Sequence, residues 1–242
     1  MMPQVLYRKR SIINLENLMS HPATHPAPSP RTRVHSCSQR AHYDRDTVTA
    51  IAQAALVCHV AFADAQGVHC IPTSCWSHDG YLYIHGSNGS RMLQALAAGE
   101  ACVTLTHVDG LVLARSAFHH SMNYRSVVAY GRFEKVETED EKLKSFAAYI
   151  EMLAPGRWSQ IRQPERNELA ATTVMRLPLT EAAAKVRNWG VKDDAADMAV
   201  PVWAGVVPLQ LVAGTPVPEA GCEDMAAPLH WGVDSVATSS KP

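Results

Sequence analysis

The chain has 242 residues, of which 47% are hydrophobic, and its 22 basic and 23 acidic side chains give a formal net charge of −1. This length suits one larger domain or one domain with tails. The near-neutral charge gives no support to nucleic-acid binding, which usually shows as a basic excess, and no apolar run approaches the roughly 20 residues needed to span a bilayer.

The cysteines indicate a reducing compartment. None of the six forms a C-x-x-C pair of the kind that holds structural zinc. Cys58 and Cys102 lie in apolar strand-like runs, so we interpret the cysteines mostly as reduced core thiols. The basic residues at 8–10 are followed by a segment too short and polar for a secretory signal, which needs about 7–15 apolar residues. We therefore expect a cytoplasmic protein.

The two ends of the chain have the composition of tails. Residues 20–38 are rich in Pro, His, Ser and Thr, so they bury too little apolar surface to offset their ordering entropy. Residues 212–242 are rich in Ala, Pro, Gly and Ser. We predict a disordered tail over residues 1–38, one domain over 39–210 and a loose tail over 211–242. Met19 directly precedes the Pro-rich stretch and is an alternative to Met1 as the natural start.

The first half of the domain is predicted to hold antiparallel hairpins between two helices. Asp46 is placed to cap a helix whose apolar residues continue at helical spacing to residue 56. Short turns join strands over 57–63, 68–74 and 81–85. A helix over 90–98 ends at Gly99, in the C′ position that favours glycine.

The second half is predicted to place strands around one longer helix. Strands are expected over 101–108, 111–116 and 126–136. Thr138-Glu139-Asp140-Glu141 has the form of a capping box, and an apolar helix face follows it. After an irregular segment come strands over 172–177, 183–188 and 202–207. Because the connections are short and no βαβ alternation occurs, the predicted fold class is mainly β, a small antiparallel barrel with a few helices.

A strand-loop-helix segment over residues 82–93 has the chemistry of a phosphate site. Ser87 and Ser90 offer hydroxyl groups, Arg91 supplies a positive charge, and the unpaired N–H groups of the helix start add the positive end of its dipole. His85 precedes the loop at the end of its strand. An ordinary turn in which Ser90 is only the N-cap fits the same residues.

Pro72 interrupts a strand-like run, where it removes one N–H group from the ladder. It predicts an edge strand, a bulge or a place where a ligand meets the backbone, and Thr73 and Ser74 add hydroxyl groups beside it. A flat heteroaromatic ligand needs free backbone groups of this kind at its ring edge. A plain edge strand explains the proline equally well.

Two later segments concentrate polar and aromatic residues. Residues 113–125 hold two Arg, two His, one Asn and two aromatic side chains, which fits a solvated or dimer-contact loop as well as contacts to a cofactor or substrate. His119 and His120 are adjacent and point to opposite faces of an extended segment, so no metal site is predicted. A late cluster offers a cation and a flat ring to a ligand, and it consists of Lys185, Arg187, Trp189 and Trp203.

No sequence motif identifies a catalytic nucleophile or a nucleotide-binding loop. The chain contains no G-x-S-x-G, G-x-G-x-x-G or G-x-x-x-x-G-K-[ST] sequence. Catalytic residues are therefore left unassigned.

Five separate motifs occur in an order and spacing that are more specific than any one of them. They are Val57-Cys58-His59-Val60-Ala61-Phe62, Ile71-Pro72-Thr73, Leu82-Tyr83-Ile84-His85-Gly86-Ser87 with Ser90-Arg91-Met92, residues 113–125, and Val202-Trp203-Ala204-Gly205-Val206-Val207-Pro208-Leu209. Together they resemble the pyridoxamine 5′-phosphate oxidase-related flavoproteins and, more narrowly, the nitroimidazole-reductase-like branch. The resemblance covers roughly residues 38–209.

The resemblance implies a split β-barrel that dimerises and binds FMN in a cleft between the subunits. It places Ile71, Pro72 and Thr73 along the edge of the flavin ring. It surrounds the ribityl phosphate with His85, Ser87, Ser90 and Arg91. It brings Ser116 and Asn123 to the cofactor from the next strands, and Lys185, Arg187 and Trp203 from the C-terminal part. The chain lacks the Arg-x-x-x-Leu-Lys strand and the Tyr-Ser substrate set of true pyridoxamine phosphate oxidases, which argues against vitamin B6 oxidation.

The predicted function is FMN-dependent reduction or oxidation of a small molecule by a homodimer, with a reduced nicotinamide or deazaflavin as electron donor. The alternative is a non-enzymatic carrier or sensor that binds flavin or haem on the same barrel. The candidate axial ligands for haem are His59, His85, His119 and His120.

Overall fold

The computed structural model describes residues 25–228. The predictions for residues 1–24, including the choice between Met1 and Met19, and those for residues 229–242 lie outside this part. The described chain forms β1 (Ala41–His42), α1 (Arg45–Ala54), β2 (Val57–Asp64), β3 (Gly67–Ser74), β4 (Trp76–His78), β5 (Tyr81–Ser87), α2 (Arg91–Ala98), β6 (Ala101–Leu113), β7 (Ser121–Gly131), β8 (Glu134–Lys135), α3 (Glu139–Leu153), α4 (Arg166–Ala171), β9 (Thr172–Pro178), β10 (Ala182–Arg187) and β11 (Gly205–Pro208).

The strands form two antiparallel sheets. The larger sheet has the order β1-β10-β7-β6-β2-β3, with β11 paired to β6, and the smaller sheet has the order β4-β5-β9-β8. Asp79 and Gly80 join β4 to β5 with φ angles of 48° and 82°, the backbone conformation of a type I′ hairpin turn. The mainly β, antiparallel fold predicted from the sequence is confirmed.

β5 separates two apolar layers because successive side chains of a strand point to opposite faces. Leu82 and Ile84 lie in the main core, which contains residues of both sheets. Tyr83 points the other way and packs on Trp76, with ring centroids 5.6 Å apart, in a second cluster that includes side chains of α3. His85 lies on this second face.

Three local details differ from the sequence predictions. Asp44, rather than Asp46, caps α1, because its carboxylate accepts a hydrogen bond of 2.7 Å from the Thr47 N–H group. Gly99 is the C-cap residue of α2 in an extended conformation, with φ −130°, rather than its C′ residue. α4 occupies part of the segment predicted to be irregular.

The largest difference concerns β6. The two strands predicted over 101–108 and 111–116 are one strand with a bulge between Val108 and Gly110, and β7 begins at Ser121. The end of the strand predicted over 126–136 is β8, which belongs to the other sheet. Glycine suits the bulge, because a Cβ atom on Gly110 would lie 3.1 Å from the Val207 carbonyl oxygen of β11, which is closer than most Cβ contacts.

Part of the predicted N-terminal tail lies against the larger sheet. Arg31 forms ion pairs of 2.7 Å with Glu100 and 2.5 Å with Glu181, and Lys185 donates a hydrogen bond of 2.8 Å to the Ser36 carbonyl. These contacts join residues far apart in the chain, which composition alone does not reveal, and the disorder predicted up to residue 38 stays a prediction. Residues 211–228 are almost entirely exposed and contain no helix or strand, and the outer limits of the domain stay predictions.

No helix among residues 25–228 is long and apolar enough to cross a membrane. All six cysteines are free. Only Cys58 and Cys75 are fully buried, whereas Cys37, Cys70 and Cys222 are exposed, so the interpretation as core thiols holds for a minority of them.

Candidate functional site

The predicted site residues lie in three parts of the molecule. The first part comprises the edge strand β3, with Ile71, Pro72 and Thr73, and the junction of β5 and α2, with Ser87, Ser90 and Arg91. The second is the far face of β5, which holds His85 alone. The third comprises β7, β10 and the loops beside them, with Ser116, Asn123, Lys185, Arg187 and Trp203. Their assembly into a cleft between two subunits stays a prediction.

β3 is the edge strand of the larger sheet, as Pro72 predicted. Pro72 is exposed and lies opposite His59, while Ile71 and Thr73 are half-buried beside it. An edge strand leaves one row of its backbone groups without a strand partner. The strand can therefore present backbone groups to a flat ring.

The start of α2 is built as a capped helix end with exposed polar side chains. Ser90 accepts a hydrogen bond from the Leu93 N–H group at 3.4 Å, so the N-cap interpretation is confirmed. Arg91 donates to the Gln66 side-chain oxygen and lies 3.8 Å from the Asp64 carboxylate. The pKa of Asp64 is lowered, first by its hydrogen bond with His69 and more weakly by Arg91. The charge of Arg91 is thus shared with a carboxylate.

His85 sits among aromatic rings beneath α3. Its ring centroid is 5.7 Å from that of Trp76, 5.9 Å from that of Phe146 and 5.7 Å from that of Tyr149. Its Nδ1 atom is buried and has no hydrogen-bond partner. Burial lowers the pKa of His85, because an apolar environment disfavours the charged imidazolium. The ring is therefore neutral at neutral pH and carries a nitrogen lone pair.

A cavity of about 320 Å³ opens beside this ring. It is lined by His85, Phe146, Ile150, Trp158, Ile161, Arg162, Pro164, Glu168, Leu169 and Thr172. The lining is mostly apolar and aromatic, with one imidazole and an Arg162–Glu168 ion pair of 2.7 Å. None of the other predicted site residues lines it. Such a cavity suits a flat apolar group that needs one nitrogen ligand.

Asn123 and Arg187, two of the residues expected to contact the cofactor, contact each other. Arg187 is only 4% exposed. Its guanidinium donates to the Asn123 side-chain oxygen and to the carbonyls of Trp189, at 2.7 Å, and Gly190, at 3.0 Å. All of these acceptors are neutral. Lys185 instead binds the N-terminal segment.

The ring of Trp189 is surrounded by positive charge. Arg40 lies 5.3 Å, Arg187 5.0 Å and Lys192 5.5 Å from its ring centroid. Within residues 25–228 none of these cations forms an ion pair. We refer to Arg40, Arg187, Lys192 and Trp189 as the Trp189 cluster.

Within residues 113–125, residues 114–120 form the loop between β6 and β7, and this loop contacts the segment after β10. Arg115 binds the Asp193 carboxylate at 2.7 Å, and His119 lies 3.1 Å from that of Asp194. Asp194 and Asp197 also come within 4.8 Å of His119 as potential metal ligands, which the sequence did not reveal because they follow His119 by more than 70 residues. Asp194 is exposed and the other two groups are half-buried, and no metal site is assigned to them.

The remaining predicted residues differ in exposure. The Ser116 hydroxyl is buried without a hydrogen-bond partner. Trp203 is 64% exposed, and its ring covers Gly205, where a Cβ atom would lie 2.8 Å from the indole. Neither side chain joins the Asn123–Arg187 contact.

The sequence did not reveal the residues of the cavity wall or two residues of the Trp189 cluster, Arg40 and Lys192. Phe146 and Ile150 lie on the predicted face of α3, but an apolar helix face gives no sign that part of it lines a cavity. Trp158 and Arg162 belong to the segment predicted to be irregular. Arg40 and Lys192 are far apart in sequence, and no local pattern could have paired them.

Comparisons with known proteins agree with this architecture. The family model described as pyridoxamine 5′-phosphate oxidase matches residues 44–186. A search of curated proteins gives no match. The structure of flavocytochrome Anf3 from Azotobacter vinelandii is 36% identical, covers 84% of this chain and 96% of its own, and superposes with a TM-score of 0.79.

Two further solved structures are similar. The FAD and haem binding protein from Mycobacterium smegmatis is 33% identical over 78% of this chain and 91% of its own, with a TM-score of 0.71. A 5-nitroimidazole antibiotic resistance protein from Bacteroides thetaiotaomicron is 19% identical over 59% of this chain and 84% of its own, with a TM-score of 0.50, and supports the fold alone. The chain therefore belongs to the pyridoxamine 5′-phosphate oxidase family and has its split-barrel fold.

Proposed function

We propose that the protein is a flavin-dependent oxidoreductase that also binds haem, with His85 as the axial ligand of the haem iron. The observation that carries the haem assignment is the neutral His85 ring, whose buried Nδ1 has no partner, beside an apolar cavity. Two similar proteins support it, the flavocytochrome from Azotobacter vinelandii and the FAD and haem binding protein from Mycobacterium smegmatis.

The residues of the His85 cavity fit haem in their chemistry. A neutral imidazole is a common axial ligand of haem iron. The aromatic and aliphatic walls provide an apolar surface for the ring, and the one guanidinium in the wall, Arg162, is already paired with Glu168. When bound, haem supplies one-electron chemistry.

The residues at the edge of the larger sheet fit a flavin. The open edge of β3 offers backbone groups to a ring, and the start of α2 offers Ser87, Ser90 and Arg91 to a phosphate. The flavin supplies the redox chemistry of substrate turnover when bound. The resemblance implies FMN, whereas the Mycobacterium smegmatis protein binds FAD, so the flavin released from the purified protein must be identified.

Absorption spectra of the purified protein test this proposal. We expect flavin bands together with a strong Soret band. His85→Gln should lose the Soret band and keep the flavin bands, and the matched change His120→Gln, on an exposed loop, should keep both. A Soret band that survives His85→Gln would refute the assignment of the ligand, and a protein that takes up neither flavin nor haem would refute the function.

An assay of turnover distinguishes the two candidate functions, an enzyme and a carrier or sensor. An oxidoreductase oxidises a reduced nicotinamide or deazaflavin when an electron acceptor is present, whereas a carrier binds its cofactors without turnover. The expected substrate of the oxidoreductase is a small molecule, and the six free cysteines are consistent with the expected cytoplasmic location.

An exposed apolar row supports the expected homodimer. Leu111 of β6 pairs with Met122 of β7 and with Val207 of β11, and the three side chains are 38%, 52% and 40% exposed. Paired residues point to the same face of a sheet, so the row is a continuous apolar surface of the kind that marks an interface. Sedimentation should show a dimer that Met122→Asp dissociates and Val217→Asp, at an exposed position after β11, does not. A wild-type monomer with its cofactor bound would contradict this prediction.

A further inference from the structure

The Trp189 cluster holds positive charges together without a carboxylate to neutralise them. Two of its members are guanidinium groups, each within 5.3 Å of the centroid of the same indole ring. The negative face of the ring attracts each cation, but it does not remove the repulsion between them. In contrast, Arg115 and Arg125 on neighbouring strands and loops each bind an aspartate carboxylate at 2.7 Å.

The most buried member of the cluster has unsatisfied hydrogen-bonding capacity. Arg187 is 4% exposed, and its Nε–H group is buried without an acceptor, as is the Nε–H group of Arg40. Burial, and then the charge of Arg40, lower the pKa of Arg187. A buried charge without an opposite charge is unfavourable, so an anion at this place would stabilise the cluster.

The cluster is open to solvent on one side. Lys192 is exposed, and Arg40 and Trp189 are half-buried, so a ligand reaches the charges through these residues. Arg40 has one contact to a neutral group, the Tyr124 hydroxyl at 3.4 Å. The nearby Asp193 carboxylate is occupied by Arg115.

We infer that the Trp189 cluster binds the phosphate groups of a dinucleotide. Guanidinium groups match phosphate oxygens in two-pronged hydrogen bonds, and a group with two negative charges balances this cluster better than a single carboxylate does. The diphosphate is that of a nicotinamide dinucleotide that delivers electrons, because the phosphate of the flavin is already assigned to the start of α2. The inference rests on the proposed flavin-dependent function and assigns it a second recognition site, separate from the start of α2.

The experiment compares the holoprotein as purified with Arg40→Gln, Lys192→Gln and the control Arg132→Gln. Arg132 is exposed and donates only to the Ala98 carbonyl, so the control removes the same charge elsewhere. One measurement is the identity and affinity of the flavin. The other is calorimetric binding of ADP-ribose, which has the diphosphate but no redox group.

The two measurements distinguish a separate dinucleotide site from part of the flavin site. If both cluster variants lose FAD affinity by about tenfold or more and ADP-ribose does not bind the loaded protein, the cluster belongs to the flavin site and the inference is overturned. If the cluster receives a nicotinamide dinucleotide, ADP-ribose binds the loaded protein, the cluster variants weaken it about tenfold, and the flavin content is unchanged.

The inference is overturned if both affinities respond to Arg40→Gln and Lys192→Gln no more than to Arg132→Gln. Lys192 is exposed, so Lys192→Gln tests the site even if Arg40→Gln disturbs folding, and recovery of binding in Arg40→Lys would separate charge from packing. Wild-type protein without flavin bands would refute the proposed function instead, and the ADP-ribose measurement would still decide the cluster.

Discussion

The His85 cavity and the Trp189 cluster both use aromatic rings, but for opposite kinds of chemistry. In the cavity, rings of α3 and β4 surround a neutral imidazole whose pKa is lowered by burial. In the cluster, one indole ring gathers three cations that lack carboxylates. Aromatic content alone therefore does not predict the ligand. The charge of the groups around the rings differs between the two regions, and this difference is why we propose haem for the cavity and a phosphate for the cluster.

The largest expected effect is on stability at the Trp189 cluster. Arg187→Ala leaves the Asn123 side chain and two backbone carbonyls without their donor. We expect a loss of about 2–4 kcal/mol in the free energy of unfolding. Urea unfolding should show this loss, while the exposed control Arg132→Ala changes stability by less than about 0.5 kcal/mol. An equally small change in both would mean that Arg187 is not anchored as the structure shows.

The next largest effect is expected at the start of α2, which lies outside both regions. Arg91→Ala should weaken FMN binding about tenfold and leave riboflavin binding unchanged, because a charge-assisted hydrogen bond reaches only the phosphate. The contact with Asp64 limits the effect, because part of the charge is already balanced. Fluorescence titration of the two flavins measures the difference. Equal losses for both flavins would place Arg91 outside the phosphate site.

A smaller effect concerns pH and the neutral His85. Burial lowers the pKa of His85, and likewise those of His42 and His107. Below the ordinary value of 6.5 the unfolded chain binds protons that the folded chain does not, so the free energy of unfolding falls as the pH drops toward the lowered pKa values. In haem-free protein, His85→Leu should lose less stability than the parent between about pH 7.5 and about pH 5.

The exposed His120 provides the control for this pH effect. His120→Leu should follow the parent protein at both pH values. If His85→Leu loses as much stability on acidification as the parent does, His85 is not held in its neutral form.

The smallest expected effect tests which cofactor His85 serves. The resemblance places His85 beside the flavin, which predicts that His85→Asn keeps more FMN affinity than His85→Leu because Asn retains a donor. The His85 cavity predicts that both variants bind FMN within about twofold of the parent, a difference below about 0.4 kcal/mol. If His85→Asn binds FMN clearly more tightly than His85→Leu does, His85 belongs to the flavin site and not to a haem site.

Local sequence signals predicted the elements that they govern directly. Thr138 caps α3 as its spacing to Glu141 indicated, with the Glu141 N–H group donating to the threonine hydroxyl at 3.2 Å. Ser90 likewise caps α2, and the Asp79–Gly80 turn joins two strands of the smaller sheet. These features depend on residues a few positions apart, so the local sequence indicates them without knowledge of the tertiary contacts.

The tertiary structure alone decided which distant residues share an environment. The sequence placed His85 at the end of its strand, but the packing of α3 and α4 made its face of β5 part of a cavity wall. It identified Arg187 and Trp189 as a cation and a ring, but only the fold brought Arg40 beside them. Such contacts depend on sheet order and on the path of loops, which short-range periodicity does not encode, so the sequence determined the elements and the fold determined the chemistry of the sites between them.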